Sequence, residues 1–161
     1  MSELKTTDLC DAHPDKVSIA EPGFKDFGGN KYFNGSIYTI KCFEDNSFVR
    51  KALETNGEGK VLVVDGGGSI RCALLGDMLA DLAIKNKWNG IIVYGCIRDS
   101  EAISKLPLGV KALNTIPLKS NKRNEGQENI TVRFAGINFV PGQQVYCDID
   151  GIIVAEKALT I

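Results

Sequence analysis

Two uninterrupted apolar runs, Val61-Leu62-Val63-Val64 and Ile91-Ile92-Val93-Tyr94, constrain the fold more than any other feature of the chain. A strand with one face in water alternates apolar and polar residues, so a run without alternation marks a strand buried on both faces of a sheet. Between the runs, Asp77 to Trp88 places Leu79, Leu82, Ala83 and Ile84 along the inward side of a helix, and Asn89-Gly90 stops it. Strand, helix and strand in that order predict an α/β core.

The remaining elements extend this core without repeating it. Thr6 or Thr7 caps a short helix through Leu9 and Cys10 toward Ala12, which Pro14 ends. Ser36 to Cys42 is rich in β-branched residues and reads as a strand. Asp45 or Asn46 caps a helix with Phe48, Val49, Ala52 and Leu53 on one face, stopped by Asn56-Gly57. Asp99 or Ser100 caps a short helix through Glu101, Ala102 and Ile103, and strands follow at Val110 to Thr115, Ile130 to Phe134, Gln144 to Ile149 and Ile152 to Ala155. Lys119 to Asn129 has almost no apolar residue and reads as a solvated loop. The expected architecture is a mixed sheet flanked by helices, with antiparallel strands added to the α/β core.

A chain of 161 residues hides roughly 70% of its unfolded surface in one domain and is too short for two ordinary ones, so residues 1–161 are expected to form a single domain. A formal charge of -1 gives no long-range attraction for phosphate polymers, which argues against nucleic acid as a direct partner. Met1 to Lys5 leads into Asp8 and Asp11 with no signal-peptide core, and no apolar run has membrane-spanning length, so a cytoplasmic protein without membrane contact is expected. The 5 cysteines are widely spread without a Cys-x-x-Cys pair, which predicts reduced, mostly buried thiols. The sole histidine, His13, precedes Pro14 and reads as a helix-terminal cap or surface residue, and a zinc site built of histidines is impossible.

Ligands in α/β sheets collect beyond the carboxyl ends of strands, and two segments there carry chemistry. Gly76-Asp77-Met78-Leu79 opens a helix, whose unpaired N–H groups and partial positive charge suit a carboxylate. Arg98-Asp99 follows the second apolar run and adds a guanidinium fork and a hard oxygen for a divalent cation. An acid at a helix start also needs no function, so for Arg98-Asp99 an ordinary helix-start pair stands level with a site, and Asp77 alone is weaker evidence. Asp81 and Glu101 read as solvent-facing. Gly66 to Gly68 lacks the third glycine of a dinucleotide fingerprint, where Arg71 stands, and no Gly-Lys-Ser or Gly-Lys-Thr follows, so a tight backbone turn explains the cluster at least as well as a ligand. Cys96 has no nearby base to make it a nucleophile.

Leu9-Cys10-Asp11, Glu21-Pro22 with Phe27-Gly28-Gly29, Lys41-Cys42-Phe43-Glu44-Asp45-Asn46, Val61 through Ser69, and Asp150-Gly151-Ile152-Ile153 together resemble the regulator of ribonuclease E activity A (RraA-like) family. That family is similar in fold to the class II 4-hydroxy-4-methyl-2-oxoglutarate aldolases, which implies a compact domain of the swivelling β/β/α type. Aldolase-type members resemble one another in an Asp, twenty intervening residues and Arg-Asp, matched here by Asp77, Arg98 and Asp99, whereas members acting only as ribonuclease inhibitors lack the metal-binding acid.

The resemblance implies that the backbone of Gly76, Asp77, Met78 and Leu79 holds a substrate carboxylate and that Arg98 binds the keto-acid oxygens. It further implies that Asp99 ligates a divalent cation, Mg²⁺ or Mn²⁺, while Asp77 acts through water. Two departures stand out: Glu101 follows the Arg-Asp pair after only Ser100, and the C-terminal region is shorter than in aldolases that lend a glutamate to a neighbouring subunit, where Glu156 is the acid available. Cleavage beside a keto group leaves electrons on carbon that need a positive centre, and a dication chelated by the keto acid supplies it without a lysine Schiff base. The implied activity is retro-aldol release of pyruvate, with oxaloacetate decarboxylation through the same enolate. The alternative is a non-catalytic regulator bound to ribonuclease E, with Asp8, Asp11, Glu44 and Asp45 as acidic contacts for a basic partner. The resemblance implies a homotrimer in either case. A menaquinone-pathway methyltransferase, a label also attached to this family, is disfavoured by the missing adenosyl-cofactor glycines.

Overall fold

The structure is a computed structural model that describes residues 3–161. Its framework is a ten-stranded mixed sheet. In chain order the elements are α1 (Thr6–Ala12), β1 (Val17–Ile19), β2 (Lys25–Asp26), β3 (Phe33–Lys41), α2 (Ser47–Leu53), β4 (Lys60–Asp65), β5 (Ala73–Leu75), α3 (Asp77–Lys85), β6 (Gly90–Ile97), α4 (Ser100–Ser104), β7 (Gly109–Thr115), β8 (Gln127–Glu128), β9 (Val132–Phe134), β10 (Ile137–Phe139), β11 (Gln144–Asp148) and β12 (Gly151–Ala155). The strands run in the order β1-β12-β11-β3-β4-β6-β7-β2, with β5 beside β6 and β8 beside β3.

The centre, β3-β4-β6-β7, is parallel, as the two apolar runs require. Val61 to Val64 and Ile91 to Val93 are fully buried, covered on one face by α2, α3 and α4 and on the other by β9–β12. Phe33 is wedged beneath this second layer between Gly90 and Gly109. A Cβ on either glycine would lie 2.2 or 2.1 Å from its ring, so no larger residue fits.

Several local expectations shift. Helix α3 ends at Lys85 rather than Trp88, and its buried face is Leu79, Ala80 and Ala83, with Leu82 and Ile84 half-buried. Trp88 instead lies in the core, its indole N–H donating to Thr55 O (3.1 Å). Neither Thr6 nor Thr7 caps α1 with its own side chain; Thr6 donates its N–H (2.7 Å) and hydroxyl (2.8 Å) to the buried Asp148 carboxylate at the β11–β12 turn. Lys119 to Asn129 is exposed except at Ser120 but is not free of structure, because β8 pairs with β3.

Asp148 also accepts the Asp150 N–H (2.9 Å), so a residue only 2% exposed holds three donors. Asp148→Ala strands these donors in a dry site. It is expected to lower the unfolding free energy by about 3 kcal/mol, read as a lower urea midpoint with unchanged slope.

No described helix is long and apolar enough to cross a membrane. Four cysteines are buried and Cys10 is half-buried, all free as expected. Burial pushes the Cys96 thiol up and Cys42 up to about 12, which makes both poor nucleophiles near neutral pH.

Candidate active site

Strand β6 ends at Ile97, and the chain turns out of the sheet through Arg98 and Asp99. Asp99 adopts a left-handed conformation (φ 58°), which is uncommon for a residue with a Cβ, although Asp tolerates it better than most. In that conformation its carboxylate does not cap α4, the helix it precedes. It reaches the neighbouring helix instead, where Oδ2 accepts the Asp77 N–H at 3.0 Å. One residue earlier, the Arg98 N–H donates to Leu75 O (2.9 Å), fastening the β6 turn to the end of β5.

Gly76 lies between these two ties. A Cβ there would stand 2.8 Å from Asp99 Oδ2 and 3.5 Å from Arg98 Nε. The absence of a side chain therefore lets the start of α3 and the Arg98-Asp99 turn close on each other. Gly76→Ala is expected to keep the fold and to displace Asp99 from the Asp77 N–H, with turnover falling by ~100-fold at little change in melting temperature.

The structure thus brings together Gly76, Asp77, Arg98 and Asp99. Met78 is largely exposed in the first turn of α3, whereas the Leu79 side chain enters the core, so Leu79 can offer only its backbone. First-turn N–H groups have no partner within their own helix. Among the described residues, no ion pair engages Arg98 or Asp99, so the half-buried guanidinium and the exposed carboxylate face one another's surroundings with charge to spare. Asp77, Arg98 and Asp99 together carry one negative charge, which a dication would invert and a substrate carboxylate would then cancel.

A cation at Asp99 would have a simple protein donor set. No group of three or more His, Cys, Asp or Glu side chains suited to a metal occurs among the described residues. One carboxylate with its other positions filled by water and ligand oxygens is the habit of Mg²⁺ and does not suit the closed four-ligand cage of structural zinc. The donors present therefore fit a hard, water-rich ion.

The two acids left open as further participants lie apart. Glu101 is exposed on α4 and pairs with Lys105 at 3.7 Å. Glu156 follows β12 and lines a cavity of about 770 Å³ together with Asp15, Lys16 and Arg133. Gly66 to Gly68 serves a turn, with φ of 67° and 72° at Gly67 and Gly68 and the Gly66 and Gly68 N–H groups donating to Tyr94 O. None of the cavities of about 440, 770 and 690 Å³ is lined by Gly76, Asp77, Arg98 or Asp99. The site is an open ledge at the sheet's carboxyl end.

A family model described as RraA-like, Aldolase/RraA, matches residues 6–154. The chain belongs to the Aldolase/RraA family. A relative from Pseudomonas fluorescens Pf-5 named "Putative 4-hydroxy-4-methyl-2-oxoglutarate aldolase" is 55% identical over 159 residues, covering 99% of this chain and 98% of that one. A relative of the same name from Pseudomonas aeruginosa PAO1 is 58% identical over 154 residues, covering 96% and 95%. Two solved structures superpose with a TM-score of 0.95. One, titled the RNA-processing inhibitor RraA of Thermus thermophilus, is 40% identical and covers 99% of this chain and 96% of its own. The other, titled an S-adenosylmethionine:2-dimethylmenaquinone methyltransferase of Geobacillus kaustophilus, is 48% identical with 97% of each chain covered. The Aldolase/RraA fold thus carries three different functional names, and the side chains of the site must choose among them.

Proposed function

We propose that this Aldolase/RraA chain is a class II aldolase of the cytoplasm that cleaves 4-hydroxy-4-methyl-2-oxoglutarate-type 2-keto acids to pyruvate and decarboxylates oxaloacetate. The observation that carries the reading is the Asp99 carboxylate set beside the Arg98 guanidinium and tied across to the first turn of α3 through the Asp77 N–H. A chain serving only as a docking module has no use for that convergence of unpaired charge. The names of the relatives support the same reaction class.

Each residue has a distinct task. The first-turn N–H groups of Met78 and Leu79 receive the substrate carboxylate, since Asp77 gives its own N–H to Asp99. Arg98 binds the keto-acid oxygens and stabilises the negative charge that grows on them as the carbon–carbon bond breaks. Asp77 takes the 4-hydroxyl proton through a water that it orients, and the proton returns by that route to the enolate carbon that becomes the pyruvate methyl group. Asp99 would hold Mg²⁺ or Mn²⁺, which when bound supplies a second positive centre at the developing enolate oxygen.

Shielding from water would come from neighbouring subunits of a homotrimer. Met78 in the first turn of α3 and Leu118, whose carbonyl takes the Ala73 N–H next to β5, are 75% and 61% exposed. Apolar side chains on an open ledge favour a covering surface. The test of the reaction is pyruvate release from 4-hydroxy-4-methyl-2-oxoglutarate, followed by coupling to lactate dehydrogenase, with Mg²⁺ and with excess EDTA. Turnover that stops with EDTA supports the proposal, and no pyruvate under any condition rejects it.

A second reading, a regulator bound to ribonuclease E, is favoured by the likeness to the Thermus thermophilus inhibitor. Its acidic contacts must be revised. Asp45 is 1% exposed and Glu44 is engaged by Arg71 and Ser69, which leaves Asp8 and Asp11 on the surface. Capture of ribonuclease E by the wild type and equally by Asp99→Ala would establish docking independent of the site.

A further inference from the structure

On the far side of the sheet from α2 and α3, the two edges of the sheet approach each other. The segment linking β1 to β2 bridges them, with the Ala20 N–H donating to Ile152 O (3.0 Å) and the Phe27 N–H to Val110 O (2.9 Å). A cavity of about 440 Å³ lies along this seam, with Ala20, Phe24 and Ile152 among its walls. Its volume falls within the range of small-molecule sites.

Lys111 of β7 lines this cavity, and its side chain is only 2% exposed. A lysine is almost never buried this completely unless paired. The pairing here is made by register: Lys111 stands opposite Asp26 in the antiparallel β7–β2 pair, with Nζ 3.0 Å from Asp26 Oδ1. That contact is the one ion pair Lys111 makes among the described residues. An ammonium has three donors, and one carboxylate contact cannot use them all. Lys111 Nζ therefore keeps donors free at the cavity wall, and a free donor there calls for an acceptor oxygen.

The charge around the cavity selects which oxygen. Lys111 and Asp26 already cancel, and the exposed carboxylates of Asp11, Glu21 and Asp150 stand at the cavity's lining. An anion would be repelled at the mouth and left unneutralised within. A neutral carbonyl oxygen on an apolar body meets neither difficulty.

We propose that the seam cavity binds an uncharged, apolar-bodied carbonyl compound of the amide or ketone class, with its carbonyl oxygen accepting a hydrogen bond from Lys111 Nζ. This site is separate from the aldolase ledge. Lys111 is paired with Ile92, six residues before Arg98 on β6, which places the two sites roughly 20 Å apart along the strand. The inference does not rest on the proposed reaction.

Calorimetric titration of the full chain with hexanamide and with hexanoate tests it, because the two probes share one body and differ by one charge. Hexanamide is expected to saturate one site per chain, and hexanoate to bind at least about tenfold more weakly. Thr7→Trp, at an exposed α1 position on the cavity lining, is expected to keep the melting temperature and abolish saturable hexanamide binding. Lys111→Met combined with Asp26→Leu removes the pair together and is expected to weaken hexanamide about tenfold; should this double variant not fold, the two probes and Thr7→Trp still decide. No saturable hexanamide binding, equal affinity for hexanoate, or unchanged binding by Thr7→Trp would each overturn the proposal.

Discussion

Asp99→Ala is expected to lower pyruvate release on the order of 1000-fold while the chain remains folded. Asp99 is exposed and touches the rest of the fold through the Asp77 N–H. Loss of that contact removes a helix-terminal partner, which costs about 1 kcal/mol. The loss of charge is more severe, since it leaves Arg98 as the one positive centre near the breaking bond and removes the oxygen that would hold a dication. Asp99→Asn separates the two effects. Its amide oxygen can still accept the Asp77 N–H, so stability should return to that of the wild type, whereas turnover should stay as low as in Asp99→Ala. The coupled pyruvate assay and a thermal melt on the same preparations give both readings.

Asp45→Ala is expected to cost about 3 kcal/mol of stability, a large effect for a single residue outside the site. The Asp45 carboxylate is 1% exposed. It accepts the Ser47 N–H (2.9 Å) and hydroxyl (2.5 Å) at the start of α2 and the Arg123 (2.8 Å) and Glu125 (3.1 Å) N–H groups of the polar loop. Burial by itself would raise its pKa, but these hydrogen bonds outweigh burial and hold it at about 2, below the ordinary 3.8. A folded-state value depressed in this way contributes stability that is fully present above about pH 4 and is lost as pH falls toward 2. The difference corresponds to about 2 kcal/mol. Urea midpoints measured from pH 6 down to pH 2 should therefore fall less steeply in Asp45→Ala than in the wild type. Parallel acid limbs would show that folding leaves the Asp45 pKa where it is in the unfolded chain.

The parts of the molecule legible from the chain are those set by long apolar patterns. Val61 to Val64 and Ile91 to Val93 are the fully buried centre of the sheet, because a run with no polar alternation has no other stable place. The adjacency of Arg98-Asp99 to a strand end, and of Asp77 to a helix start, followed from the same patterns. Strands β1, β2 and β8, of three, two and two residues, did not, since pairing partners distant in sequence decide them and propensity does not. The target of Asp99 was also hidden. Local rules place its carboxylate on α4, and the left-handed turn delivers it to α3. Lys111 gives no warning in Gly109 to Thr115 of its burial, which Asp26 makes tolerable from a strand more than eighty residues away. Of the two residues the sequence offers for the α2 start, Asp45 is the one whose carboxylate takes the Ser47 N–H, and its second duty, ordering residues 123–125, depends on a tertiary approach that no spacing reveals.

The central claim is that Arg98 and an Asp99-held dication stabilise the negative charge on a pyruvate-derived enolate. Proton NMR of pyruvate in D₂O measures this without the leaving fragment, because enolate formation replaces methyl protons with deuterium. The account predicts loss of the methyl signal with wild-type protein and Mg²⁺, and none beyond background with EDTA or with Asp99→Ala. Exchange at equal rates in all three samples would contradict it.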